Sequence, residues 1–233
     1  LHPDAGAVNL CAGPHPPVRS QAHDDPSLSE LLLRDGVPWV HDYDNDPATG
    51  GGPAGDIASP GVYVKLQKAA DDGKIAIAAA GPPCSLTNSS RIMDANKGKE
   101  DAQAPVLYHM GAVDGVSEGL TEKQLTAIRM NNILHRRCAS IIMSVGLNGG
   151  LVLIETPSLR SDPTRLDVYD PRCVGRFVHS TALDMSCWQQ VIHVTRRAIS
   201  IPIGPRRDLH FIAFSCILHV LFLQLVLKTG FIQ

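Results

Sequence analysis

The sequence predicts an α/β fold in which helices cover both faces of a parallel β-sheet. Short apolar segments alternate with segments of helical periodicity, as in strand-helix-strand units. The apolar run 75–80 lacks polar alternation, which indicates a central strand buried on both faces. The chain has 233 residues, of which 44% are hydrophobic, so it can build one sizeable core and is too short for two ordinary domains with linkers.

The N-terminal third predicts strand, helix and strand. Residues 8–11 form a short apolar run that stops at a Gly-Pro loop. Ser27 and Glu30 have the spacing of a capping box before three leucines, and Gly36 follows as a helix stop. Residues 37–40 predict a second strand that ends in the acidic run 42–46.

The middle of the chain predicts a linker and two further strand-helix units. Residues 47–61 are rich in Gly and Pro and predict a linker, followed by a helix near 63–70 and a strand over 74–80. The polar stretch 94–119 predicts an inserted mobile loop. Thr121 then caps a long helix that ends near Gly146, and residues 150–154 predict the next strand.

Several chemically notable residues come directly after predicted strands. They are Gly13, Asp42 or Asp44, Cys84 and Glu155. The carboxyl ends of parallel strands lie at one edge of a sheet, where such folds bind their ligands. We therefore expect these residues to converge on one site.

The tetrapeptide G-P-P-C at residues 81–84 predicts a rigid turn that presents a thiol. Its two prolines fix the backbone, so Cys84 would be held in one position at little ordering cost. A free thiol has a pKa of about 8.5, so a nucleophilic role requires activation at neutral pH. The alternative is a small buried residue at the end of a strand.

These motifs resemble those of the cytosine-C5 DNA methyltransferase family. Residues 81–84 match its G-P-P-C motif in full, and Glu155 matches the glutamate of its E-N-V motif. Residues 8–14 resemble the cofactor-binding D-L-F-A-G-x-G-G motif, and Asp56-Ile57 after Gly55 resembles its G-D-I element. The resemblance covers about residues 8–160 and extends to shortened methylase domains of mobile-element proteins.

The resemblance implies a Rossmann-like S-adenosylmethionine-dependent methyltransferase sheet, truncated at its C-terminal side, that acts on cytosine in DNA. Cys84 would attack C6 of the base, and Glu155 would bind its N3/N4 edge. RNA cytosine is an alternative substrate because the same chemistry serves it. We assign cofactor contacts to Leu10, Ala12, Gly13, Asp44, Asp56, Ile57 and Pro82, with Asp42 as an alternative to Asp44, and substrate contacts to Arg91, Arg160 and Arg165, which could instead be ordinary surface charges.

The chain departs from the family in the loop after its first predicted strand. Asn9 stands at the position of the family's first aspartate, and His15 and Pro16 replace its second and third glycines. These changes favour an alternative function, a nucleic-acid-associated module of a mobile element that has lost cofactor binding.

Charge is distributed unevenly along the sequence. Acidic residues dominate up to about residue 62, and basic residues dominate beyond about residue 125, so a polyanion is expected to meet the second half. The six cysteines form no C-x-x-C pair and the histidines no H-E-x-x-H motif, so no metal site is expected and the thiols should stay reduced. No secretory signal opens the chain at Leu1, which suggests a fragment or processed form of an intracellular protein, nuclear or cytoplasmic.

The C-terminal region changes in composition. We expect a methyltransferase-like domain over residues 1–175 and a divergent tail over 176–233, whose place in the fold the sequence leaves open. Residues 209–227 carry no formal charge and are long enough to span a bilayer after a basic segment. The alternatives are a buried or interfacial helix and a tail from a shifted reading frame.

Overall fold

A computed structural model of the chain describes residues 1–11, 27–45, 51–83, 86, 107–108, 111–156, 185–200 and 211–215, except for the side chains of 156, 195–200 and 211–215. The strands are β1 (Gly6–Leu10), β2 (Val40–Tyr43), β3 (Ile75–Ala80), β4 (Leu151–Thr156) and β5 (Phe211–Ser215). The helices are α1 (Leu28–Arg34), α2 (Gly52–Gly55), α3 (Pro60–Asp71), α4 (Glu122–Leu147) and α5 (Ser186–Ser200).

The five strands form one sheet in the order β2-β1-β3-β4-β5, and every neighbouring pair is parallel. The predicted α/β class and the parallel sheet are confirmed. The strand predicted as central, β3, occupies the middle of the sheet, and all but one of its six residues are buried. The architecture is consistent with a Rossmann-like fold.

Both sheet faces are covered. On one face, Leu32 of α1 packs with Ala7 of β1 and Ile77 of β3. On the other, the main core joins β-strand residues to the buried side of α4 and to Trp188 of α5. The largest fully buried side chains include Trp188, Tyr108, Leu10, Ile75, Ile141 and Ile142. This larger core is the main source of hydrophobic stabilisation in the described structure.

The capping box before α1 forms as predicted, but the strand after it begins later than predicted. The amide of Glu30 donates to Ser27 Oγ at 3.2 Å, and the amide of Ser27 donates to Glu30 Oε2 at 2.7 Å. The amide of Val37 still bonds to the Leu32 carbonyl of α1 at 3.1 Å, so it is not available for sheet pairing. The predicted strand 37–40 is therefore wrong in its bounds, and β2 runs from Val40 to Tyr43.

The Gly/Pro-rich segment predicted as a linker contains α2 and the start of α3. Gly55 of α2 lies directly against the end of β2, where a Cβ atom would come within 2.7 Å of the Asp44 carbonyl oxygen. Pro60 opens α3, a position where its missing amide hydrogen costs no helix bond. Glycine and proline here permit close packing and helix initiation.

Parts of the polar stretch 94–119 and of the tail 176–233 belong to the fold. Tyr108 is 2% exposed. Its hydroxyl accepts from Asn131 Nδ2 at 3.0 Å and donates to Asn132 Oδ1 at 2.9 Å. Asp114 accepts hydrogen bonds from the amide and hydroxyl of Ser186 at the start of α5, at 3.1 and 2.6 Å. These bonds fasten the described part of the predicted loop to α4 and α5.

Within the region predicted as a candidate membrane span, the described residues form strand β5, which pairs with β4. Within the described ranges, no helix has the length and hydropathy of a membrane span.

Candidate active site

The candidate site lies at the carboxyl ends of β1, β3 and β4. Strand β1 pairs with β2 on one side and with β3 on the other. After β2, the chain therefore crosses back over β1 to add β3 on its other side, while all strands stay parallel. In open parallel sheets, this topological switch point is where a crevice forms and ligands bind.

Three strand ends meet around Gly81. A Cβ atom at Gly81 would lie 3.5 Å from the carbonyl oxygen of Cys11, after β1, and 3.6 Å from Oε2 of Glu155, in β4. The amide of Gly81 also donates to the Leu10 carbonyl at 3.0 Å. The first residue of the G-P-P-C motif and the predicted catalytic glutamate are therefore direct neighbours.

Glu155 belongs to β4, whereas the sequence predicted it just beyond the strand. The residue is exposed, and its Oε2 lies 3.6 Å from the position that a Cβ atom would take at Gly81. A carboxylate in this setting can accept hydrogen bonds from a bound ligand without a large desolvation cost.

Six of the predicted site residues lie outside the described residues. They are Ala12, Gly13, Cys84, Arg91, Arg160 and Arg165. The motif that carries the predicted nucleophile is described up to Pro83, with Pro82 buried and Pro83 exposed.

A buried histidine of α4 holds the backbone of this motif. His135 is fully buried, and its Nε2 lies 3.3 Å from the carbonyl oxygen of Pro83. Its Nδ1 accepts a hydrogen bond from the indole of Trp188 at 2.9 Å. Because Nδ1 accepts, the proton of the neutral ring is on Nε2, which donates to Pro83.

Burial keeps the His135 ring neutral at physiological pH. Removal from water lowers its pKa to about 4, against the opposing effect of the bond to the Pro83 carbonyl. The neutral ring can donate through one nitrogen and accept through the other, as both partners here require. The carbonyl one residue before Cys84 is therefore anchored to α4.

The two acidic residues considered for the cofactor ribose have different surroundings. Asp42 lies within β2, and its Oδ1 accepts from Ser29 Oγ at 2.6 Å and from Asn9 Nδ2 at 3.1 Å. Asp44 directly follows β2 and is half-buried. Asp42 thus joins β1, β2 and α1, while Asp44 has the position after a strand that the sequence argument requires.

The remaining predicted cofactor residues have mostly buried side chains. Leu10 is 0% and Ile57 is 3% exposed, and both belong to the main core. Asp56 is half-buried, and its Oδ1 accepts from the amide of Ala58 at 2.8 Å. Any ligand contact at Leu10 or Ile57 would therefore be made chiefly by backbone atoms.

Arg137, one of the basic residues of the second half, has an internal role. Its guanidinium donates to the Ile57 carbonyl at 2.7 Å and lies 4.8 Å from the ring centre of Tyr63. These contacts join α4 to α3 and to the segment after α2. The guanidinium of Arg137 therefore has a structural role within the fold, and the proposed polyanion contacts do not depend on it.

In the part of the chain that the structure describes, no group of three or more His, Cys, Asp or Glu side chains could hold a metal ion.

Sequence reasoning missed His135 and its partner Trp188. A usable signal was present, since Asn131 and His135 interrupt the apolar stripe of α4 defined by Ile128, Cys138 and Ile142. A polar side chain on a buried stripe must find hydrogen-bond partners, and such groups are often fixed for a specific purpose. The partners themselves are 52 and 53 residues away, at Pro83 and Trp188.

The fold and the edge residues define an α/β protein with an all-parallel sheet and a polar site at its switch point. Comparison with known proteins gives no match, because no family model fits the chain and no curated protein or solved structure is significantly similar to it.

Proposed function

We propose that this chain transfers a methyl group from S-adenosylmethionine to C5 of cytosine in DNA, through a covalent adduct with Cys84. The observation that carries the proposal is the approach of Glu155 to Gly81, the first residue of the G-P-P-C motif. Cys84 and Glu155 are 71 positions apart by residue number (155 minus 84). The approach of Glu155 to Gly81 brings their two motifs together at the edge where parallel sheets bind ligands.

In the proposed reaction, the thiolate of Cys84 forms a bond to C6 of the base. The pair of electrons displaced from the C5–C6 bond makes C5 nucleophilic, and the carboxyl group of Glu155 stabilises the charge that develops at N3. After C5 has gained the methyl group, loss of its proton restores the C5–C6 double bond and expels Cys84. Both side chains are required because an aromatic carbon is a poor nucleophile before the adduct forms.

The anchored Pro83 carbonyl supports the role of Cys84. A nucleophile contributes most when its backbone is fixed before substrate binds, because less ordering entropy is then lost in the reaction. Pro82, Pro83 and the bond from His135 all restrict the segment that leads into Cys84.

The residues after β1 and β2 fit the recognition of a nucleoside. Asp44, half-buried directly after β2, is suited to accept hydrogen bonds from ribose hydroxyls. The backbone of Leu10 and Cys11 lies at the same edge of the sheet, next to Gly81. S-adenosylmethionine, when bound, supplies an electrophilic methyl group to the activated C5.

Transfer of tritium from labelled S-adenosylmethionine to a DNA duplex tests the proposal. We expect Cys84→Ser and Glu155→Gln to reduce incorporation by at least about 100-fold, the scale lost with a nucleophile or a transition-state hydrogen bond. Glu118→Gln is the matched control, since it makes the same change at an exposed carboxylate to which the proposed reaction assigns no role, and it should keep full activity.

A duplex in which every cytosine already carries a 5-methyl group should accept no label. Equal incorporation into this duplex and the unmodified one would contradict transfer to C5. A further outcome is binding of DNA with neither binding of S-adenosylmethionine nor incorporation of label. That result would support the alternative function, a nucleic-acid-associated module that has lost cofactor binding.

A further inference from the structure

Two cysteines distant in sequence meet beside the candidate site. The Sγ atoms of Cys11 and Cys138 are 3.9 Å apart, although 127 positions separate the residues. Cys11 directly follows β1 and is half-buried, while Cys138 is fully buried on the inner side of α4. One thiol therefore belongs to a residue that is partly exposed to solvent, and the other lies in the core in contact with it.

The backbone of Cys11 is held in place at the sheet edge. It has a φ of +56°, a conformation that residues other than glycine adopt uncommonly, and its amide donates to the Tyr43 carbonyl at 2.7 Å. Cys138 lies near the middle of the 26-residue helix α4. Both backbones are thus held by the fold in positions that bring the two sulfur atoms to within 3.9 Å of each other.

We propose that Cys11 and Cys138 form a thiol-oxidation site that closes to a disulfide on exposure to a peroxide and reopens with a dithiol reductant. The proposal concerns the two thiols alone and does not depend on methyl transfer.

The chemistry proceeds in two balanced steps. The Cys11 thiol releases its proton, its sulfur attacks one peroxide oxygen, and the O–O bond breaks, so that Cys11 becomes a sulfenic acid. The other oxygen leaves as hydroxide and takes up the released proton to form water. The sulfur of Cys138 then attacks the Cys11 sulfur, the S–O bond breaks, and the departing hydroxide takes the thiol proton to form a second water. Two thiols have lost two electrons in total, and hydrogen peroxide has gained them.

The order of the two steps follows from the surroundings of each thiol. The neighbouring Cys11 and burial raise the pKa of Cys138 well above its ordinary value, so Cys138 remains a protonated thiol. Cys11 has the greater access to solvent and meets the oxidant first. Cys138 is then the resolving thiol, placed close enough to react before Cys11 is oxidised further.

Cys187 provides the matched comparison. It is half-buried at the start of α5, and burial raises its pKa to about 11. Cys187 is thus a third described thiol that packs against the main core, and the proposal assigns it no role.

The test is a disulfide map of the full chain after brief treatment with a few equivalents of hydrogen peroxide. Remaining thiols are blocked with N-ethylmaleimide, and the protein is digested without reduction for mass spectrometry. We expect a Cys11–Cys138 linked peptide, loss of two of the six thiols, and recovery of both with dithiothreitol. The Cys187→Ser protein should give the same linked peptide, and Cys11→Ser should abolish it.

Because Cys138 is buried, its replacement could disturb folding, so the test relies on the wild-type map and on substitutions at the half-buried Cys11 and Cys187. A map in which Cys11 pairs with another cysteine would overturn the proposal. The same holds if Cys11 reaches the sulfinic acid while Cys138 stays blockable, or if all six thiols survive a tenfold excess of peroxide.

Discussion

The buried pair His135 and Trp188 makes the stability of this protein depend on pH in a defined way. The His135 ring must stay neutral to accept from Trp188 and donate to Pro83. In the unfolded chain the ring has its ordinary pKa of 6.5, and in the folded chain burial lowers the pKa to about 4. Between these two values the unfolded state binds more protons than the folded state, so acid favours unfolding.

The size of the effect follows from the pKa difference. A difference of about 2.5 between the two states, at about 1.4 kcal/mol per pKa unit, removes about 3 kcal/mol of stability once the pH is below 4. The loss begins as the pH falls through 6.5, and between pH 7 and pH 5 it amounts to about 2 kcal/mol. Above pH 7 the group contributes almost no pH dependence.

Urea unfolding at pH 7, 6 and 5 measures this loss in wild type and in His135→Gln. Glutamine does not titrate, so the variant should lose about 2 kcal/mol less than wild type over this range. It should be less stable at pH 7 by about 1–3 kcal/mol, because it cannot serve both buried partners equally well. His193→Gln, at an exposed position of α5, should follow the wild-type profile. Parallel profiles for wild type and His135→Gln would refute the buried neutral ring.

Two further stability predictions come from local geometry. Gly55→Ala should lower the free energy of unfolding by about 1–3 kcal/mol, because its Cβ would lie 2.7 Å from the Asp44 carbonyl oxygen, whereas Gly61→Ala, with nothing within 4 Å, should be neutral or stabilising by up to about 1 kcal/mol. Equal effects in urea unfolding would contradict the packing at Asp44. Thr121→Ala removes the side chain that accepts from the Gln124 amide at 3.3 Å and should cost about 1 kcal/mol, and no loss of stability would contradict a role for this cap.

Local sequence signals predicted the elements whose boundaries are set locally. Thr121, predicted to cap a long helix, forms a capping box with Gln124 at the start of α4, and the predicted capping box of Ser27 and Glu30 begins α1. Both depend on side chains and backbone within four residues, which a single sequence displays directly.

The start of β2 was not predictable in the same way. Residues 37–40 are as apolar as a strand, but the Val37 amide is committed to the last turn of α1. The path of the chain to the sheet decides whether an amide pairs with a helix carbonyl or with a neighbouring strand. The apolar composition of a segment does not reveal that path.

For the candidate site, topology was predictable and side-chain detail was not. Once parallel strands were expected, the approach of Glu155 to Gly81 followed from adjacent strands β3 and β4. The bond between His135 and Pro83 joins a helix to a loop 52 residues earlier, and no local pattern encodes that distance. The same is true of the Cys11 and Cys138 contact across 127 positions.

The central claim is that Cys84 forms a covalent adduct with cytosine. Its most direct test is to incubate the protein with S-adenosylmethionine and a DNA duplex containing 5-fluorocytosine, followed by denaturing electrophoresis. Fluorine at C5 cannot leave as a proton does, so a methylated adduct cannot release the enzyme. We predict a denaturation-resistant complex that requires S-adenosylmethionine and disappears in Cys84→Ser. A complex that persists in Cys84→Ser, or no complex under conditions in which S-adenosylmethionine and DNA both bind, would contradict the claim.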